Sequence, residues 1–333
     1  MKPYAAYAIG AALVDTEIQV TDAELAAMNV EKGMMILVNQ ARQRDMLTTL
    51  SDHLIQANHA SGGSAGNSMI ATAMMGAPTY MSCKVAQDAD GDIYLADLEQ
   101  SGVVHGLTER STDGVTGKCI VLITPDAERS LNTHLGISET LSTDEVDEAA
   151  IKGSEWVYLE GYLVTSPSGH AAALKTKALA EAHGVKTAVS FSDPGMVKFF
   201  RDSMAAMVEG GVELVFCNDS EALEWGQCDD LDTAIEAIKS VARRFVITLG
   251  ADGAVTWDGE TLHRVAAKPV EAVNTNGAGD MFAGAFFYAL SRGESDLRAT
   301  EYAALAAGEV VKYFGPRLER DACLALRRQF FGD

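Results

Sequence analysis

The apolar positions of this chain fall in short runs separated by polar, glycine-rich turns. Residues 4–10, 13–20 and 33–38 read as extended segments, the first ending in glycine. Gly62-Gly63-Ser64-Ala65-Gly66-Asn67 follows one helix-like stretch and precedes another over 68–75. Residues 77–85 read as a strand and 92–102 as a helix closed by Gly102. Strand-like runs at 117–124 and 129–135 flank the turn Pro125-Asp126-Ala127-Glu128, which predicts a hairpin. This hairpin and the two strands of the first forty residues interrupt the later pattern, as an inserted small sheet would.

From about residue 150 the pattern is regular. Apolar strands recur at 156–159, 186–191, 213–216 and 245–249. Helical runs at 168–183, 199–208 and 231–243 lie between them. A spacing of roughly thirty residues is that of a βαβ unit, so a parallel sheet with helices on its faces is expected. An extended run over 268–273 then leads through a turn into a helix over 281–290, with Gly293 placed to stop it.

In such sheets ligands bind beyond the carboxyl ends of the strands. Those ends carry Glu160-Gly161, Ser192-Asp193, Asn218-Asp219-Ser220-Glu221 and Thr248-Leu249-Gly250-Ala251-Asp252-Gly253. The turn Asn274-Thr275-Asn276-Gly277-Ala278-Gly279-Asp280 is expected to join them at one crevice. Gly277, Ala278 and Gly279 leave no bulk over the first N–H groups of the helix, which makes an anion site. Asp280 reads in two ways. It is a favourable dipole partner in a first helical turn, or a base that takes a proton from a hydroxyl attacking phosphorus. Asp15 is either a turn residue just past the first strand or an acceptor for substrate hydroxyls. Asn218 with Glu221 reads as a helix cap or as part of a cation site.

Composition narrows the classes. The 333 residues are 47% hydrophobic, enough for a large core, and carry a formal net charge of −21. That balance argues against nucleic acid or an anionic membrane surface as partner. Cys83, Cys119, Cys217, Cys228 and Cys323 form no C-x-x-C pair and read as reduced thiols of a cytoplasmic protein. Residues 1–10 are too short and too little charged for a signal peptide. No Walker motif is present, because Gly117-Lys118-Cys119 fails upstream and at its last position. A nicotinamide dehydrogenase lacks its glycine fingerprint here. A phosphoryl-transfer site outside the Walker class is the best remaining use of the Gly277 turn.

The motifs from Gly62 to Asn67, from Asn218 to Glu221 and from Thr275 to Asp280, in this order, resemble the pfkB-type carbohydrate and nucleoside kinases of ribokinase-like fold. Thr124-Pro125-Asp126-Ala127-Glu128-Arg129, with Glu160-Gly161-Tyr162, is more similar to the adenosine-kinase branch. The resemblance implies an α/β fold with a doubly wound, mostly parallel sheet flanked by helices. It implies one kinase domain over 1–333, with a small β-sheet lid from about 12–40 and 115–136. It implies transfer of the γ-phosphoryl of ATP, with Mg²⁺, to a primary hydroxyl of a nucleoside or sugar. Asp280 would be the base, and Gly277, Ala278 and Gly279 the anion hole. Asp15, Gly62, Gly63 and Asn67 would hold the substrate. Asn218, Thr248, Gly250 and Gly253 would line the ATP site, and Glu221 would act on Mg²⁺ through water. The family's motif usually begins with Asp where Asn274 stands, at the position that holds a monovalent cation in K⁺-activated relatives, so that site is in doubt here. A homodimer through lid strands is an expectation by analogy.

Within this reading adenosine is the first choice of acceptor, with Leu13, Met35, Val38 and Leu135 as candidate apolar pocket residues. A ribose-like or keto-sugar is the runner-up. A phosphosugar would need a basic cluster, for which Arg42, Arg44 and Arg129 are available. The alternative from another class is a catalytically silent nucleotide-binding regulator, which would gain nothing from Asp280.

Overall fold

A computed structural model describes residues 2–53 and 58–333. The larger sheet is built from β1 (Tyr4–Ile9), β5 (Thr79–Ser82), β6 (Val103–Val104), β9 (Ser154–Glu160), β10 (Lys186–Ser190), β11 (Val212–Asn218), β12 (Ala242–Thr248), β13 (Ala254–Trp257) and β14 (Leu262–Val265). Its order is β14-β13-β12-β11-β10-β9-β1-β5-β6. The strands from β12 to β6 are parallel, and β13 and β14 form an antiparallel edge. The chain leaves β1 towards β5 and β6 on one side, and later returns to place β9 on the other. The order therefore reverses beside β1, where such sheets open a crevice.

The helices are α1 (Asp22–Ala27), α2 (Gln40–Thr49), α3 (Ser64–Met75), α4 (Ala89–Ser101), α5 (Glu148–Lys152), α6 (Pro167–Ala182), α7 (Pro194–Phe199), α8 (Arg201–Val208), α9 (Asp219–Gly226), α10 (Leu231–Lys239), α11 (Ala278–Ser291), α12 (Asp296–Val310) and α13 (Arg320–Phe331). Strand periodicity sends alternate side chains to opposite faces, and the core divides accordingly. Ala6, Ala8, Trp156, Tyr158 and Val246 pack with α3, α11 and α12. Tyr7, Ile9, Val157, Leu159 and Ile247 pack with α6, α8 and α10 on the other face. This is the doubly wound architecture, and its strands are apolar on both faces as such burial requires.

A second sheet has the order β3-β8-β7-β2-β4, from β2 (Leu13–Gln19), β3 (Met35–Leu37), β4 (Asn58–Gly62), β7 (Gly117–Ile123) and β8 (Arg129–His134). One of its faces is closed by α1 and α2 around Ile18, Ile120 and Leu122. The other turns Leu13, Asp15, Leu131 and Thr133 towards the crevice.

Several local expectations change. Gly62 ends strand β4 and Gly63 follows it, with no helix directly before them, so the smaller sheet gains a strand from outside 12–40 and 115–136. Residues 268–273 form no strand; β13 and β14 occupy the sheet edge instead. Helix α10 ends at Lys239, and Ala242 already begins β12. Asp15 lies inside β2, paired opposite Ala60 and Cys119, and is no turn residue. Among the described residues, no helix is long and apolar enough to cross a membrane.

Candidate active site

Two helix starts meet beneath the crevice. Helices α3 and α11 pack closely because Gly284 presents no side chain; a Cβ there would lie 2.6 Å from Ala71 Cβ and 2.7 Å from Ser68 O. Thr72 Oγ1 donates to Gly284 O at 3.0 Å across this seam. The approach brings Ser64 and Asn67, in the first turn of α3, to Asp280 in the first turn of α11. Ser64 Oγ donates to Asp280 Oδ1 at 2.6 Å, and Asn67 Nδ2 donates to Oδ2 at 2.9 Å. Burial raises the Asp280 pKa, while these two bonds and the charges of Arg129 and Arg317 oppose the rise. The result is a carboxylate more basic than usual with both oxygens oriented.

Gly277 caps α11 with φ +73°, and a Cβ there would lie 2.0 Å from Pro316 O, so the position admits only glycine. Ala278 N–H is used at 3.3 Å on Thr275 O inside the turn. Among the described residues, the Gly277 and Gly279 N–H groups meet no protein acceptor. They face the cavity with the positive end of a fourteen-residue helix behind them.

Above this floor Asp15 points down from β2. Gly62 makes room for it, since a Cβ on Gly62 would lie 2.1 Å from Asp15 Oδ1. Gly62 thus supports Asp15 from behind, whereas Gly63 and Asn67 line the cavity itself. Burial pushes the Asp15 pKa up to about 7, with Glu17 adding to the rise. Glu17, two residues along the same face, is buried and has no ion-pair partner among the described residues. Its Oε1 accepts from Asn274 Nδ2 at 3.0 Å and Asn276 Nδ2 at 2.9 Å, and its Oε2 from Gly315 N at 2.7 Å. This fastens the smaller sheet to the anion-hole turn. Glu160, at the end of β9, accepts from Ala11 N at 2.9 Å and Ala65 N at 2.7 Å, and burial raises its pKa to about 7. It clamps the start of α3 to the end of β1.

At the other end, Asn218 and Glu221 form a reciprocal capping box on α9. Glu221 Oε2 accepts from Asn218 N at 3.0 Å and Oε1 from Asn218 Nδ2 at 2.9 Å. Glu221 is also raised by burial to about 8, and both residues line the cavity. So do Thr248, Gly250 and Gly253. Position 253 calls for glycine, because its φ is +97° and a Cβ would strike Val265 O at 2.0 Å.

The cavity that joins these groups measures about 790 Å³. That is within the size range of small-molecule sites. Leu13, Met35 and Leu135 line it as anticipated, whereas Val38 does not. Of the three arginines considered for a basic cluster only Arg129 reaches it; Arg42 bonds Met28 O, and Arg44 is exposed on α2. Glu17 and Arg317 escaped the sequence reading, because no local pattern marks a contact made across hundreds of residues. Ser64 lies inside the Gly62–Asn67 motif, where its hydroxyl has no sequence signal that marks a contact with Asp280.

Comparison with known proteins agrees with this fold. The pattern of the pfkB family carbohydrate kinase matches residues 34–323. The chain belongs to the pfkB family. Like other pfkB members, it is therefore a phosphotransferase acting on hydroxyl groups of a nucleoside or sugar. Adenosine kinase of Saccharomyces cerevisiae is 27% identical over 330 residues, covering 92% of this chain and 95% of its own. The crystal structure of adenosine kinase from Sinorhizobium meliloti superposes with TM-score 0.92 at 32% identity, covering 98% of this chain and 99% of that one. A probable sugar kinase from Rhizobium etli superposes with TM-score 0.93 at 31% identity, covering 100% and 99%.

Kinases of the pfkB family use ATP and typically a divalent metal. The N-terminus of α11, with its two free N–H groups, fits a phosphate chain. Among the described residues no three His, Cys, Asp or Glu side chains gather into a metal cage. The carboxylates of Asp219 and Glu221 line the cavity singly, and oxygen ligands of this kind suit Mg²⁺ shared with phosphates and water.

Proposed function

We propose that this pfkB kinase phosphorylates the primary hydroxyl of an adenosine-type nucleoside, with Asp280 as general base. The observation that carries the reading is an oriented, basic carboxylate beside free helix-start N–H groups, under a ceiling rich in apolar side chains. Leu13, Met35, Leu37, Leu131 and Leu135 border the half of the cavity next to Asp15. A free sugar needs hydroxyl partners but no apolar ceiling of this extent, whereas a purine buries both faces and gains from each side chain covered. A phosphosugar is disfavoured, since Arg42 and Arg44 stand away from the cavity.

Each group then has a task. Asp15 and Asn67 hold the ribose hydroxyls, with Gly63 allowing close approach and Gly62 leaving room for Asp15. Asp280 accepts the proton of the attacking hydroxyl. Gly277 and Gly279 donate to the phosphoryl oxygens as charge develops, and Ala278 keeps the turn in shape. Asn218, Thr248, Gly250 and Gly253 line the ATP end. Mg²⁺, when bound, neutralises phosphate charge, and Glu221 and Asp219 attract its waters. The smaller sheet acts as a lid that excludes water, with the chain divided there into lid and larger α/β domain.

The test is adenosine-dependent release of ADP by the natural protein and by Asp280→Asn. The substitution keeps size and helix-start geometry but cannot take a proton. We expect kcat to fall by about 10² to 10⁴ with KM for ATP little changed. No adenosine-dependent ADP release would reject the nucleoside, and an Asp280→Asn rate within about threefold of natural would reject the base.

A further inference from the structure

Arg317 lies in the segment just before α13, where neither the mechanism above nor the family motif uses it. Its side chain is 9% exposed. Nη1 donates to Ser61 O at 2.6 Å and to Asn67 Oδ1 at 2.6 Å, and Nη2 pairs with Asp97. Ser61 also donates its hydroxyl to Asp97. Arg317 is thus held from β4 and α4 while it grips α3.

The contact with Asn67 matters because of what the other end of that amide does. A guanidinium has only donors, and an ionised carboxylate has only acceptors. An amide between Arg317 and Asp280 satisfies both in one orientation alone, with Oδ1 to the arginine and Nδ2 to the aspartate. Arg317 therefore fixes which way Asn67 faces, and Asn67 fixes one oxygen of Asp280. Ser64 holds the other oxygen independently. From these contacts we infer that Arg317 is a positioning residue, setting the Asn67 amide and through it the Asp280 carboxylate. The inference rests on the reading of Asp280 as the base.

Other groups also face Asp280: Arg129 from β8, Asp15 from β2, Tyr158 and Glu160 from β9, and Tyr162 just after it. Arg129 and Arg317 are the two cations among them, and loss of either favours the protonated base. The charge of Arg317 acts on the acid limb in either case, whereas a strut that merely held α13 to α3 would leave kcat above that limb unchanged. The two roles therefore separate by kcat on the pH-independent plateau, natural there for a strut and lowered for a positioning residue.

The experiment measures kcat and KM against pH for Arg317→Gln and Arg317→Lys, with Tm as a folding control and Asp280→Asn alongside. For Arg317→Gln the acid limb of the kcat profile is expected to move up by about one pH unit. On the plateau kcat is expected to fall at least about tenfold, with KM for ATP unchanged. Lysine keeps the charge but not the two-pronged geometry, so Arg317→Lys returns the limb towards its natural position without restoring kcat. Natural plateau kcat in Arg317→Gln, whether or not the limb or Tm moves, would overturn the role. Should Arg317→Gln fail to fold, Arg317→Lys decides alone, and natural kcat there would overturn it. A fully active Asp280→Asn rejects the base itself. An inactive Asp280→Asn beside a fully active Arg317→Lys rejects only the positioning role.

Discussion

Asp15 and Asp280 are both carboxylates pressed into protein, yet their surroundings assign them different work. Asp280 has both oxygens bound by neutral donors and two cations near it, which keeps a buried acid usable as a base. Burial, with Glu17 beside it, pushes the Asp15 pKa up to about 7. Below that value it carries a proton and offers fewer acceptors to hydroxyls. Above it the ionised form accepts fully. The sign is therefore fixed: adenosine should bind more tightly as pH rises from 6 to 8, by up to about tenfold, while ATP affinity in the same range does not follow this curve. Calorimetric titration at a series of pH values checks it. Adenosine affinity that is flat across the range, or that weakens, would remove Asp15 from hydroxyl recognition.

At the scale of elements, the turn before α11 explains both what the sequence disclosed and what it concealed. Gly277 was legible because it has a local cause. Gly277 must adopt a positive φ under Pro316, and no other residue does both. The parallel strands were legible because their burial on both faces leaves unbroken apolar runs. The edge hairpin β13–β14 was hidden, since its residues Leu262, His263 and Arg264 are partly or fully exposed and carry no apolar run. The partners of Asn274 were hidden for another reason: Glu17 reaches it from 257 residues away. Its position had suggested a weakened cation site. The geometry supplies a mechanism, because Asn274 Oδ1 accepts from Asn276 N at 2.9 Å while Nδ2 serves Glu17. The acid beside Asn274 is Glu17, and its oxygens are taken by hydrogen bonds. We therefore predict little or no activation by K⁺, and a gain in K⁺ response on Asn274→Asp. Rates at constant ionic strength, with choline exchanged for K⁺, give the answer. Strong activation of the natural protein at low millimolar K⁺ would contradict it.

Across the whole molecule, the sheet reversal beside β1 places the crevice, and the smaller sheet covers it. A chain of net charge −21 repels a nucleotide at long range. In the proposed reading, binding comes from local dipoles at the α11 start, from Arg129 and from a cation that travels with ATP. The same reading has the acceptor selected under the smaller sheet, where leucines and Met35 outnumber charged groups. Burying a nucleobase there contributes roughly 25 cal/mol per Å² of apolar surface removed from water, a gain that a bare sugar lacks. The measurement that tests this most directly is kcat/KM for adenosine, other nucleosides, ribose, ribose 1-phosphate and a keto-sugar, under saturating ATP and Mg²⁺. The account predicts that adenosine leads ribose by about 10²-fold or more, with the phosphate placed on its primary hydroxyl. Equal or faster turnover of ribose or another free sugar would contradict it.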